Sequence, residues 1–139
     1  MMVGIVIVTH GNLGDVLIET AEIIFNAKSE AIVSVSIDLK QNVETLRKKI
    51  KDGIKAVNQQ KGILILTDMF GGTPSNLSYS FLEEGKIEVI SGVNLPILIK
   101  SMNCRKKETD LHQMAKTIEE YGKKSISLAS DVLKGSKKS

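Results

Sequence analysis

With 139 residues, 42% of them apolar and 25% charged, the chain can bury one domain-sized core without staples or metals, and neither disorder nor a fibrous architecture fits. An aromatic content of 4% makes that core aliphatic, and the single Cys104 excludes an internal disulfide or a CxxC redox or metal site. The charge of +3 and pI near 8.9 come partly from Lys134, Lys137 and Lys138, without the basic, aromatic-interleaved stripe that nucleic acid requires, and no bilayer-length or signal-type apolar segment occurs, so a cytoplasmic protein is expected.

Along the chain, short continuous apolar runs alternate with amphipathic stretches, as in parallel strands buried on both faces and joined by helices. Residues 3–8 form the first strand. Residues 13–26 place Leu13, Val16, Leu17, Ala21, Ile24 and Phe25 on one side at helical spacing. Residues 32–37 read as a second strand. Residues 43–58, with Val43, Leu46, Ile50, Ile54 and Val57 opposite a Lys/Arg face, read as a second helix. After Gly62, residues 63–67 form a third strand, residues 74–84 a short helix ending at Gly85, and residues 87–91 a fourth strand.

Two further helices follow over residues 95–102 and 110–121, and Gly122 stops the latter. Ile126 and Leu128 alternate with Ser125, Ser127 and Ser130, which predicts a fifth strand over 125–130, polar on one face and therefore at a sheet edge. The expectation is an α/β fold: a doubly wound, mostly parallel sheet with helices on both faces, forming one domain over residues 1–134 and followed by a frayed basic tail over 135–139.

In such a sheet ligands gather beyond the carboxyl ends of the strands. The first strand ends in Thr9-His10-Gly11, and the third runs into Asp68-Met69-Phe70-Gly71-Gly72-Thr73-Pro74-Ser75-Asn76. His10 is a candidate nucleophile at that crevice. First and third strands are usually neighbours, which would let Asp68 accept a hydrogen bond from one ring nitrogen and hold the other unprotonated. Gly71 and Gly72 allow close backbone approach. Thr73 is read as an N-cap with Pro74 at the first helical position, so the N–H groups of Gly72 and Thr73 and the Thr73 hydroxyl would stabilise phosphoryl oxygens. Each of these features alone also reads as an ordinary turn, cap or helix entry, and their conjunction is what points to chemistry. His112 reads as a solvated helix position. There is no GxxxxGK[ST] or GxGxxG for a nucleotide, and no metal site is readable.

Three segments in order, Gly4-Ile5-Val6-Ile7-Val8-Thr9-His10-Gly11, Thr67 through Asn76, and Ile90-Ser91-Gly92-Val93-Asn94-Leu95-Pro96, make the chain resemble the IIA component of the mannose, fructose and sorbose family of bacterial phosphotransferase systems, nearly end to end. The resemblance implies that His10 is the phosphorylated histidine and Asp68 its orienting aspartate. Thr9, Gly71, Gly72 and Thr73 are assigned to phosphate binding. It implies a phosphoryl donor in the general histidine phosphocarrier protein, an acceptor in a IIB component, indirect service to membrane IIC and IID components, and no cofactor. It further implies a homodimer in which the fifth, antiparallel edge strand is exchanged between subunits.

The sequence departs from the family at Phe70, where the family commonly has Trp, and Ser75 is small; both touch packing and docking. A stand-alone regulatory phosphohistidine module and the phosphotransferase subunit of a dihydroxyacetone kinase share the same His10 chemistry. The former differs only in lacking a cognate transporter, and the latter matches the Gly-Gly-Thr-Pro and Gly-Val-Asn-Leu-Pro segments less well.

Overall fold

The computed structural model describes residues 1–138, with side chains through residue 134. Its elements are β1 (Gly4–His10), α1 (Leu13–Phe25), β2 (Ile32–Ile37), α2 (Val43–Val57), β3 (Ile63–Thr67), α3 (Thr73–Tyr79), β4 (Ile87–Ser91), α4 (Leu95–Cys104), α5 (Leu111–Lys124) and α6 (Ala129–Lys138). The strands form a single sheet in the order β2-β1-β3-β4, and every pairing is parallel. The two central strands, β1 and β3, carry the longest uninterrupted burial. That is the reason they read as continuous apolar runs rather than alternating ones.

Side chains alternate between the faces of β1. Ile5 and Ile7 join Leu64, Leu66, Leu98, Met114 and Ile118 under α1, α4 and α5. Val6 and Val8 join Ile63, Ile65, Leu46, Ile50 and Leu77 under α2 and α3. Helices therefore cover both faces, as a doubly wound sheet requires. Each fully buried Ile or Leu stabilises the fold by about 1.5–3 kcal/mol relative to exposure. Helix entries are set locally: Asn42, Asn94 and Asp110 each accept a hydrogen bond from the backbone N–H three residues on, as N-caps do.

Three expectations need correction. The third helix is shorter than 74–84, ending at Tyr79: the hydroxyls of Ser78 and Ser80 bond back to the Pro74 and Leu77 carbonyls, and the chain continues through i→i+3 turns into the next strand. Gly122 does not stop α5. It lies inside that helix, where a Cβ would come within 2.7 Å of Ile97 Cδ1, so the glycine permits α5 to pack closely on α4.

The fifth strand is not formed in the chain described. Residues 126–128 have no regular secondary structure, and Ala129–Lys138 is helical. Strand alternation needs a neighbouring strand to become a ladder, and none pairs with this segment. α6 runs on to Lys138, and Ser139 lies outside the described residues. No helix among the described residues is long and apolar enough to cross a membrane.

Candidate functional site

His10 and Asp68 meet because β1 and β3 are adjacent and parallel, with Val8 opposite Thr67, so both chains leave the sheet at the same end. Asp68 Oδ2 accepts from the backbone N–H of His10 at 2.9 Å and lies 2.7 Å from its Nδ1. With an ionised carboxylate as the acceptor, Nδ1 carries the proton and Nε2 keeps its lone pair. The other carboxylate oxygen, Oδ1, accepts from the Met69 N–H at 3.0 Å. The Asp68 side chain is 12% exposed and the His10 ring 38%. Burial alone would raise the Asp68 carboxyl. The bonds from the His10 N–H and ring, the attraction of that ring and the Met69 N–H outweigh it, and the group is held below its ordinary value.

The loop after Asp68 turns back over the ring. Gly71 has φ +86°, a conformation that favours glycine. Gly72 lies so close that a Cβ placed on it would be 3.1 Å from His10 Cε1 and 3.7 Å from Nε2. The backbone N–H groups of Gly71, Gly72 and Thr73 have no acceptor among the described residues. Three consecutive unpaired donors thus lie on the loop whose Gly72 approaches the imidazole, an arrangement suited to a tetrahedral oxyanion borne on Nε2.

Replacing Gly72 by Ala is expected to keep the fold, since its φ of −85° and ψ of 169° suit any residue. It should slow phosphoryl transfer roughly tenfold, because displacements of the order of 1 Å at a reacting centre cost about 10²-fold and this contact asks for a few tenths. Matched circular dichroism spectra and a single-turnover transfer assay check this.

Two expectations about this loop change. Thr73 is not the N-cap: Gly72 holds that position and Thr73 begins α3, with no side-chain cap bond. Thr9 does not face the cradle. It is fully buried, and its hydroxyl accepts from the Gly14 N–H at the start of α1, so it anchors that helix. A β-strand sends successive side chains to opposite sides, and His10 and Thr9 part accordingly.

Sequence reasoning missed the support beneath the loop. The Ser75 hydroxyl, fully buried, donates to the Met69 carbonyl, and its oxygen is in contact with the Thr67 hydroxyl, which must then donate to it. Only the position of Ser75 in the first turn of α3 could have hinted at this. His112 is exposed, 3.7 Å from Glu88 Oε2, and has no cradle of this kind. No group of three or more His, Cys, Asp or Glu among the described residues is placed to hold a metal ion.

Known proteins share this architecture. The family profile described as the fructose IIA component of the phosphotransferase system (PTS), EIIA-man, matches residues 4–119. The PTS fructose-specific EIIA component of Bacillus subtilis is 31% identical over 105 residues, covering 75% of this chain and 71% of that protein. The PTS mannose-specific EIIAB component of Escherichia coli K12 is 30% identical over 127 residues, 91% of this chain but 39% of the longer protein. The crystal structure of a phosphotransferase system EIIA component from Streptococcus agalactiae superposes with a TM-score of 0.83 at 27% identity, covering 94% of this chain and 99% of that one. A match across both sheet-end segments and most of the chain leaves one assignment: this protein belongs to the mannose-family IIA components of the sugar phosphotransferase system.

Proposed function

We propose that the chain is a cytoplasmic phosphoryl carrier that accepts phosphate on His10 Nε2 from the phosphohistidine of the general phosphocarrier protein and passes it to a IIB component. The observation carrying this is the single-sided His10: Nδ1 is held by Asp68 while Nε2 faces Gly72 and solvent. The Nε2 lone pair attacks phosphorus as the donor's N–P bond breaks, and the donor imidazole keeps that electron pair. The positive charge left on the His10 ring is balanced by Asp68 through the Nδ1 proton, and the N–H groups of Gly71, Gly72 and Thr73 hold the phosphoryl oxygens through the transfer. The Thr73 hydroxyl adds a fourth donor. Reversal of the same steps delivers the group onward.

The setting suits a protein partner. The ring is open to solvent, and Leu13, Leu39, Val43, Met69 and Phe70, in the connections and first helical positions that follow β1, β2 and β3, are all exposed. An apolar collar around a reactive group excludes water when a second protein seats on it. The EIIAB name of the E. coli relative supports a B component as one such partner, with the membrane IIC and IID components served through it. The outer edge of β4, bridged at Ile87 by Glu83 and carrying no strand beyond it among the described residues, supports a homodimer.

The test is incubation of the purified chain with the phosphorylated general phosphocarrier protein, followed by a mannose-family IIB protein. Label should appear on the chain and then leave it for the IIB protein. A chain that takes no label, or that keeps it in the presence of IIB, overturns the reading.

A further inference from the structure

Arg105, which closes α4, is a buried cation that the phosphoryl chemistry does not use, with only 7% of its surface exposed. Its Nη1 donates to the carbonyls of Val3 and Ala31, both at 3.2 Å, and its Nη2 to that of Glu30, so the side chain ties the approaches to β1 and β2 to the end of α4. Backbone carbonyls satisfy hydrogens without neutralising charge, and no carboxylate among the described residues forms an ion pair with this guanidinium. Burial pushes it below its ordinary value, and the attraction of Glu30 offsets that only in part. Nε, also buried, has no hydrogen-bond partner. A buried charge with a spare donor is costly unless something completes it.

Arg105 also lines a cavity of about 330 Å³, within the size range of small-molecule sites. Part of its wall is apolar, from Met2, Phe25 and Met102, and part is polar, where Lys28, Ser29, Glu30 and Lys106 join Arg105. Lys28 and Lys106 are exposed and form no ion pair among the described residues, and Lys106 Nζ lies 6.0 Å from the centre of the Phe25 ring. Ser29 is fixed by Glu22, whose carboxylate accepts from both its N–H and its hydroxyl. Three cations therefore line the cavity against one carboxylate, that of Glu30. The site is remote from the phosphoryl cradle: it lies at the amino ends of β1 and β2, whereas His10 closes β1, about 20 Å away at the rise of a strand.

We propose that this cavity is a second anion site, which takes a phosphomonoester with a short apolar body: the phosphate meets Arg105 Nε, Lys28 and Lys106, and the body packs on Met2, Phe25 and Met102. The guanidinium fork is spent on backbone carbonyls, so it cannot give a planar carboxylate the usual bidentate pairing. One N–H and two ammonium groups remain, separate point donors that suit the three oxygens of a phosphate. The excess of cations over carboxylates in the lining also matches a phosphomonoester, which carries about −1.5 to −2 near neutrality. Binding here is independent of phosphoryl transfer at His10 and stands or falls without it.

The experiment titrates the 15N-labelled chain with phenyl phosphate, with inorganic phosphate and benzoate as comparisons, and follows the amides of Met2, Ser29, Glu30 and Lys106 together with the Arg105 Nε–H. Shifts at Gly71, Gly72 and Thr73 report the His10 cradle separately. Phenyl phosphate is expected to shift the first set saturably, Arg105 Nε–H included. Inorganic phosphate, without the apolar body, and benzoate, with a single charge, should both bind more weakly. Arg105 is left in place because it holds three backbone carbonyls. The double variant Lys28→Gln/Lys106→Gln changes only exposed side chains, so it should unfold at the wild-type temperature without ligand and bind phenyl phosphate roughly tenfold more weakly, the scale of two solvent-facing charge contacts. Shifts confined to Gly71, Gly72 and Thr73, or an Arg105 Nε–H that does not move, overturn the site and leave Arg105 a structural tie alone. Unchanged affinity in the double variant removes the lysines and with them the proposal, and benzoate binding as tightly as phenyl phosphate overturns the phosphomonoester class.

Discussion

His10→Ala is expected to reduce phosphorylation by the general phosphocarrier protein to background while leaving the fold intact. The alanine keeps the backbone N–H that bonds Asp68 and the strand pairing with Ile37, so what disappears is the nucleophile. The residual oxyanion cradle cannot hold a phosphoryl group covalently. His112→Ala is the matched control: its ring is exposed, only 3.7 Å from a single carboxylate oxygen and beside no unpaired backbone donors, so its loss should leave labelling unchanged. The label on the wild type should be acid-labile and base-stable, as phosphoimidazoles are. Wild-type labelling of His10→Ala, or an acid-stable label, would move the chemistry to another side chain.

How much of this was legible in the sequence follows from how local each signal is. The strands over residues 32–37, 63–67 and 87–91 lie where the sequence placed them: β3 as a continuous apolar run buried on both faces, and the half-buried edge strands β2 and β4 through shorter apolar stretches rich in β-branched residues. β1 extends two residues beyond its apolar run, since Thr9 and His10 still pair with Ser36 and Ile37. The adjacency of His10 and Asp68 was also legible, because strand order in a doubly wound sheet makes first and third strands neighbours.

What could not be read depends on distant partners. Gly122 resembles a helix stop unless one knows that Ile97 presses on it. Thr9 resembles a ligand group unless the docking of Gly14 is known, and Ser75 resembles any helix-start serine unless Met69 turns its carbonyl inward. The alternation at residues 125–130 met the same limit from the other direction. A period of two states which face is apolar, but it does not supply the strand that completes the ladder.

Asp68→Asn is expected to slow transfer by about 10²- to 10⁴-fold, the range associated with positioned proton-handling groups and with loss of the correct tautomer beside a catalytic histidine. The geometry explains why the nearly isosteric amide cannot substitute. One carboxylate oxygen accepts both His10 bonds and the other accepts the Met69 N–H. An amide has a single acceptor oxygen. If it faces His10, the NH₂ group opposes the Met69 N–H and loosens the start of the phosphoryl-binding loop. If it faces Met69, it presents hydrogens to His10 and favours the tautomer whose proton sits on Nε2, the atom that must attack. Either way the charge that balances the phosphorylated ring is lost. A pH series separates this from simple misfolding. The native Asp68 carboxyl is lowered below its ordinary 3.8, so its stabilisation is complete above that value and lost as pH falls through the lower native one. Asp68→Asn should lack that component of acid unfolding while staying folded and slow near neutrality. Transfer at the wild-type rate by a folded Asp68→Asn protein would remove Asp68 from the mechanism.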